Sequence, residues 1–219
     1  MSIKTVLFDL DGTLADTAPD LADALNYTLC KNGYKELSLQ EIRPHVSNGS
    51  IALIEFGFNI NSDHKNFDTY REQLLNYYTN NIANKTRLFT DFEKVLDSIE
   101  ARGLNWGIVT NKPSYLTDPL LKQLNLYERA ITIVSSDTLE FRKPHPAPML
   151  HACSEAGSKP DECVFIGDAQ RDVEAGKNAE MKTLIAMFGY IGVNENPENW
   201  GADGYIHQAD DILNWLDNN

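Results

Sequence analysis

Asp9 and Asp11, two aspartates one residue apart, are the residues of this chain best suited to chemistry. They follow the apolar run Val6-Leu7-Phe8, which predicts a buried strand, and Gly12 follows them as a turn residue. Two carboxylates held this close are costly unless one is protonated or a cation lies between them. The pair therefore predicts a site for Mg²⁺, a hard cation that prefers oxygen ligands. By itself, the same pattern also fits a strand that ends in an ordinary Asp-Gly turn.

The composition limits the classes of function. The chain has 219 residues, which fits one large domain or two modest ones, and 42% of them are hydrophobic, enough for a substantial core. Its net charge of −13, with no run of lysine and arginine, disfavours nucleic acid and anionic membranes as partners. An anionic substrate would therefore need a locally positive site, built from a metal, a lysine and backbone N–H groups.

The cysteines and the N-terminus predict a cytoplasmic protein. Cys30, Cys153 and Cys163 match no zinc-binding spacing, and their odd number argues against a disulfide framework. Asp9 interrupts the first apolar run, so we expect no signal peptide, and no apolar run approaches the length of a membrane span.

After residue 85 the sequence pattern alternates between helices and strands. Continuous apolar strands separated by amphipathic helices predict an α/β fold, a doubly wound parallel sheet of the Rossmann-like kind covered on both faces. The predicted strands are 106–110, 131–134, 163–166 and 183–187, and the predicted helices are 91–102, one after Pro113, 147–156, 171–179 and 211–216.

Residues 16–84 show helical patterns and no clear strand. A capping box begins at Ser38, and the stretch from Phe67 to Ile82 carries tyrosines at helical spacing that we interpret as packing residues. We therefore predict a core domain of residues 1–15 and 85–219 and an all-helical domain of residues 16–84, inserted after the first strand.

Polar residues follow several predicted strands, where ligands bind in open parallel sheets. Each one alone has an ordinary explanation, such as a polar strand end, a surface lysine or a helix cap, but their convergence on one edge favours a site. Besides the first aspartates, the candidates are Thr110 and Asn111, Lys143, and Asp168 with Asp172.

These residue types fit phosphoryl transfer. An ionised Asp9 suits nucleophilic attack, and Asp11 suits general acid and base work. Lys143 would neutralise phosphoryl oxygens, and Thr110 and Asn111 would donate hydrogen bonds to them. The predicted metal ligands are Asp9, Asp11, Asp168 and Asp172.

The chain resembles the haloacid dehalogenase superfamily of phosphohydrolases. Asp9-Leu10-Asp11-Gly12-Thr13 is similar to its first motif, Thr110-Asn111 to the second, Lys143-Pro144 to the third and Gly167-Asp168 through Asp172 to the fourth. The resemblance implies a mobile helical cap at residues 16–84. It also implies phosphate ester chemistry, because the dehalogenases lack an acid at the position of Asp11.

Within this superfamily the chain is similar to phosphoglycolate phosphatases and to N-acetylmuramic acid 6-phosphate phosphatases. The expected activity is therefore Mg²⁺-dependent hydrolysis of a small phosphate ester through a phospho-aspartate. Three alternatives remain: a phosphatase for N-acetylmuramic acid 6-phosphate, a sugar phosphomutase, and a binding module without activity.

Specificity is expected to come from the predicted cap. Arg43 and Asn48 lie in a polar stretch after the capping-box helix and are the candidate substrate contacts, because a guanidinium suits a carboxylate. We expect a small phosphate ester as the only partner of the site, and a monomer or homodimer.

Overall fold

The computed structural model describes residues 2–219. The strands are β1 (Thr5–Phe8), β2 (Ala15–Asp16), β3 (Arg87–Leu88), β4 (Asn105–Val109), β5 (Ile133–Val134), β6 (Cys163–Gly167), β7 (Lys182–Ala186) and β8 (Gly204–Ile206). The helices are α1 (Ala18–Lys31), α2 (Leu39–Ile42), α3 (Gly49–Phe58), α4 (Phe67–Asn80), α5 (Phe92–Ala101), α6 (Ser114–Gln123), α7 (Ala147–Glu155), α8 (Gln170–Asn178) and α9 (Asp210–Leu216).

Six strands form one parallel sheet in the order β5-β4-β1-β6-β7-β8. All four residues of β1 are buried, as the continuous apolar run predicts for a strand covered on both faces. The chain builds outward from β1 to β5 on one side and then returns to build β6 to β8 on the other. This topology confirms the predicted doubly wound α/β class. It also places the carboxyl ends of β1, β4 and β6 side by side, where ligands bind in such sheets.

The predicted elements of the sheet domain agree with the structure to within two residues at their ends, and three short strands are new. The strands β2, β3 and β8 have only two or three residues each, too few to show an alternating pattern. Helix α3 was also not predicted, since its Gly49 and Gly57 are typical of loops. Gly57 packs directly on Leu25 of α1, where a Cβ would lie 2.7 Å from a Leu25 methyl carbon.

Helices α1 to α4 lie between β2 and β3, which pair in antiparallel fashion as a separate two-stranded ribbon. Asp20, at the start of α1, accepts hydrogen bonds from the N–H groups of Lys85 and Thr86. These bonds tie the start of the helical segment (residues 18–80) to the chain that follows it. The division into a core domain and a helical domain stays a prediction. Among residues 2–219, none of the helices combines the length and apolar character needed to cross a membrane.

Candidate active site

Three buried carboxylates meet at the carboxyl edge of the sheet. Asp9 follows β1, Asp168 follows β6, and Asp172 lies in the first turn of α8. Each offers one oxygen to a group whose members all lie within 4.8 Å of one another. The side chains of Asp168 and Asp172 are almost inaccessible to solvent, and Asp9 is 4% exposed. Strand ends and a helix start therefore bring three carboxyl groups into one small, buried space.

Lys143 lies inside this group of carboxylates. Its Nζ is 3.0 Å from Oδ1 of Asp9 and 2.8 Å from Oδ1 of Asp172. Burial opposes the charge of the ammonium, but Asp172 and Asp9 together outweigh burial and raise the pKa of Lys143. The side-chain amide of Asn111 donates a hydrogen bond of 3.0 Å to the carbonyl of Lys143 and so holds its backbone. The charged form of this lysine is therefore favoured in the site.

One lysine does not balance three carboxylates. Burial, followed by the charges of Asp9 and Asp172, raises the pKa of Asp168 to about 7. The Tyr190 N–H at 2.7 Å and the Ser47 hydroxyl at 3.0 Å both donate to Oδ2 of Asp168 but do not reverse this rise. The group therefore holds excess negative charge and offers only oxygen ligands. Such a donor set fits a hard divalent cation such as Mg²⁺.

Asp11 has different partners from the other aspartates. Its carboxylate is not part of that three-carboxylate group; it accepts from Nζ of Lys112 at 3.0 Å and from the hydroxyl of Thr17 at 2.5 Å. Sequence reasoning assigned no role to Lys112 or Thr17. The available signal for Lys112 was its position directly after Thr110 and Asn111. Metal binding by Asp11 stays a prediction.

Thr110 lies at the end of β4, beside β1. It is 4% exposed, and its hydroxyl oxygen accepts the backbone N–H of Lys112 at 3.1 Å. That bond leaves the hydroxyl proton of Thr110 free to be donated elsewhere. Phosphate binding by Thr110 and Asn111 stays a prediction, and the structure places both residues at the edge of the sheet where it would occur.

Arg43 and Asn48, the predicted substrate contacts, lie where the helical segment meets the sheet domain. The Arg43 guanidinium donates to both oxygens of Asp16, at 2.9 and 3.0 Å, and lies 4.8 Å from the centre of the Tyr190 ring. Asn48 accepts from Arg171, the residue before Asp172, at 3.2 Å. Both side chains thus have protein partners, and their contact with a substrate stays a prediction.

Gly12 allows the loop after β1, which carries Asp9 and Asp11, to pass directly against Asp168. Its φ of +88° lies in the left-handed region, and a Cβ there would lie 2.2 Å from Oδ2 of Asp168. Any side chain at this position must therefore displace the carboxylate or the loop.

We expect Gly12→Ala to lower the free energy of unfolding by at least about 3 kcal/mol, since strain and a clash with a buried group combine. Gly33→Ala is the matched control, because Gly33 also has a positive φ, +80°, but a Cβ added there would meet no atom within 4 Å. Only the backbone strain of about 1–2 kcal/mol should apply there. Urea unfolding of both variants measures the difference, and equal losses would contradict the proposed crowding at Asp168.

The structure is an α/β fold that gathers a buried aspartate, a lysine and an acidic group suited to a metal at one edge of its sheet. Residues 6–186 match the family model of the haloacid dehalogenase-like hydrolases. The chain belongs to this family.

Similar proteins agree with this assignment. The chain is 36% identical over 217 residues to an N-acetylmuramic acid 6-phosphate phosphatase of Pseudomonas aeruginosa, covering 99% of this chain and 96% of the relative. It is 37% identical over 205 residues to a phosphoglycolate phosphatase of Xylella fastidiosa, covering 94% and 89%. A crystal structure of a predicted phosphoglycolate phosphatase from Haemophilus somnus superposes with a TM-score of 0.87 at 26% identity and covers 98% of both chains. These matches confirm the predicted enzyme class, a phosphoric monoester hydrolase.

Proposed function

We propose that this protein is a Mg²⁺-dependent phosphatase that hydrolyses small phosphate monoesters, of the phosphoglycolate type, through a phospho-Asp9 intermediate. The observation that carries the proposal is the placement of Lys143, whose Nζ lies 3.0 Å from Asp9 inside a buried three-carboxylate group. A cation at that distance can neutralise phosphoryl oxygens while the neighbouring carboxylate attacks phosphorus.

The reaction would proceed in two steps on this chain's own residues. An oxygen of Asp9 attacks phosphorus, the ester bond to the leaving oxygen breaks, and Asp11, which enters this step as the neutral acid, gives that oxygen its proton. Asp11 then takes a proton from water, and the resulting hydroxide attacks phosphorus of the acyl phosphate, releasing inorganic phosphate and restoring the Asp9 carboxylate. Asp11 serves both steps because it leaves the first one deprotonated. Lys143 and the Thr110 hydroxyl would hold the phosphoryl oxygens throughout.

The residues that would hold Mg²⁺ are Asp9 and Asp168, with Asp172 close enough to act through water. When bound, the cation would cancel part of the charge that keeps an anionic substrate away from an anionic nucleophile.

Metal binding by this group has a readout that does not depend on turnover. We expect Mg²⁺ to raise the melting temperature of the wild-type protein, because it binds the folded state and relieves the repulsion among the carboxylates. In Asp168→Asn this rise should fall to less than half. Thermal unfolding with and without Mg²⁺ measures both, and an undiminished rise in the variant would place the metal elsewhere.

We also propose that the helical segment acts as a cap that selects the substrate, with residues 16–84 as its domain. Arg43 supports this role, since its guanidinium lies at the junction of the segment with the sheet domain. If it released Asp16, it would suit the carboxylate of a substrate. Both named relatives act on phosphate esters that carry a carboxylate. Arg43 alone therefore does not choose between them, and N-acetylmuramic acid 6-phosphate is the second candidate substrate.

Phosphate release from a panel of esters, with and without Mg²⁺, tests the function. The panel includes phosphoglycolate, N-acetylmuramic acid 6-phosphate and several sugar phosphates. Metal-dependent release with the highest kcat/KM for phosphoglycolate is the expected result, and preference for the amino-sugar ester would support the second candidate. Isomerisation of a sugar phosphate without net release would identify a mutase, and no metal-dependent reaction with any ester would contradict the proposal.

A further inference from the structure

A buried lysine outside the three-carboxylate group contacts Asp11. Nζ of Lys112 lies 3.0 Å from Oδ1 and 3.3 Å from Oδ2 of that carboxylate. The Lys112 residue is only 8% exposed. Burial opposes the charge of the ammonium, but Asp11 and Tyr78 together outweigh burial and raise the pKa of Lys112. A charged group this deep in a protein is costly unless its partners are held in place.

The backbone of Lys112 is anchored to the sheet domain. Its N–H donates to the Thr110 hydroxyl at 3.1 Å, and its carbonyl accepts from the Ser136 N–H at 3.1 Å and from the Thr117 hydroxyl at 3.2 Å. The position of the ammonium is therefore fixed relative to β4. Asp11, in turn, is held by an ion pair with a group that itself has little freedom to move.

The second partner of the Lys112 side chain belongs to the helical segment. The hydroxyl of Tyr78, on α4, lies 2.9 Å from Nζ, and the centre of its ring lies 4.7 Å away. Tyr78 is fully buried. The Lys112 ammonium therefore contacts Asp11 on one side and the Tyr78 hydroxyl on the other. Through these two short contacts it connects α4 to Asp11.

We propose that Lys112 and Tyr78 are positioning residues that hold the Asp11 side chain in place for proton transfer, so that this placement depends on the position of α4. The inference rests on the proposed function, in which Asp11 protonates the leaving oxygen. Proton transfer requires hydrogen-bond distance, and a displacement of about 1 Å can cost about 100-fold in rate. Lys112 thus acts through Asp11, and Tyr78 acts through Lys112.

Steady-state kinetics of Lys112→Met and Tyr78→Phe test this role with two leaving groups. For phosphoglycolate, whose alkoxide must be protonated, we expect Lys112→Met to lower kcat and kcat/KM by about 100-fold. The KM should stay within about threefold of wild type. For nitrophenyl phosphate, whose phenolate leaves without a proton, kcat/KM should fall by less than about 10-fold. Tyr78→Phe, which removes only the hydroxyl, should change the same parameters in the same direction by smaller factors.

Lys122→Met is the matched control, since Lys122 forms a similar contact with Tyr127, 4.5 Å to the ring centre, on the exposed face of α6. It should leave all parameters unchanged. A rise in KM with kcat unchanged would show that Lys112 binds substrate, and an equal loss for both leaving groups would show a merely structural role. Either result overturns the inference while the proposed function stands. A wild-type protein without Mg²⁺-dependent phosphatase activity overturns both.

A double-mutant cycle on stability provides a readout without turnover. We expect Lys112→Met to lower the melting temperature in the wild-type background and to lower it by less than half as much in the Asp11→Asn background, because the ion pair is already lost there. Equal shifts in both backgrounds would mean that the two side chains are not coupled, and would overturn the inference.

Discussion

Asp9→Asn is expected to lower phosphate release by at least about 10⁴-fold, the scale on which the loss of a covalent nucleophile acts in well-studied hydrolases. The amide of asparagine has almost the same shape as the carboxylate but cannot form the acyl phosphate. Asp9 also belongs to a group with excess negative charge, so the substitution should cost the fold little. The melting temperature is expected to stay within a few degrees of the wild-type value.

Three measurements define this result: turnover of the preferred ester with Mg²⁺, thermal unfolding, and phosphoryl labelling of the protein after a rapid quench. Asp63→Asn, at an exposed position between α3 and α4, is the control and should retain full activity. Asp9→Ala guards against traces of activity from slow deamidation of the asparagine. If Asp9→Asn keeps more than a few per cent of wild-type turnover, the phospho-Asp9 mechanism is wrong.

Lys143→Met is expected to have the second large effect, on both activity and stability. The substitution keeps much of the aliphatic stem but leaves Asp9 and Asp172 buried without their cation at 3.0 and 2.8 Å. Breaking a buried ion pair on one side costs about 3–5 kcal/mol. The loss of a positive charge aimed at phosphoryl oxygens should lower kcat by a further factor of about 10²–10³.

The losses of stability and of activity can be measured separately. Urea unfolding measures the stability loss, and kinetics at a temperature where the variant is fully folded measure the catalytic loss. Lys85→Met is the control, because Lys85 forms an ion pair of 2.6 Å with Asp23 that is exposed to solvent and should matter little. A Lys143→Met protein with wild-type stability and kcat would refute the role that we assign to this lysine.

The position of the candidate site residues at one edge of the sheet was predictable from the sequence. Residues that end a buried strand in a parallel sheet must lie at its carboxyl edge, so Asp9, Thr110 and Asp168 could be placed together from the sequence pattern. The apolar runs that identify those strands depend on local sequence alone. The short elements were not predictable, because β2, β3 and β8 are defined by their pairing partners and not by their own composition.

Local sequence shows which residue types are present, in what order, and at the ends of which strands, because burial on both faces of the sheet leaves a continuous apolar run in each long strand. The pairing of those residues becomes visible only in the folded chain. Lys143 lies between Asp9 and Asp172, Asp11 has Lys112 as its partner, and Tyr78 reaches that lysine from α4. These contacts join residues far apart in the chain, and no local pattern encodes a distance between two segments that only the packed core brings together.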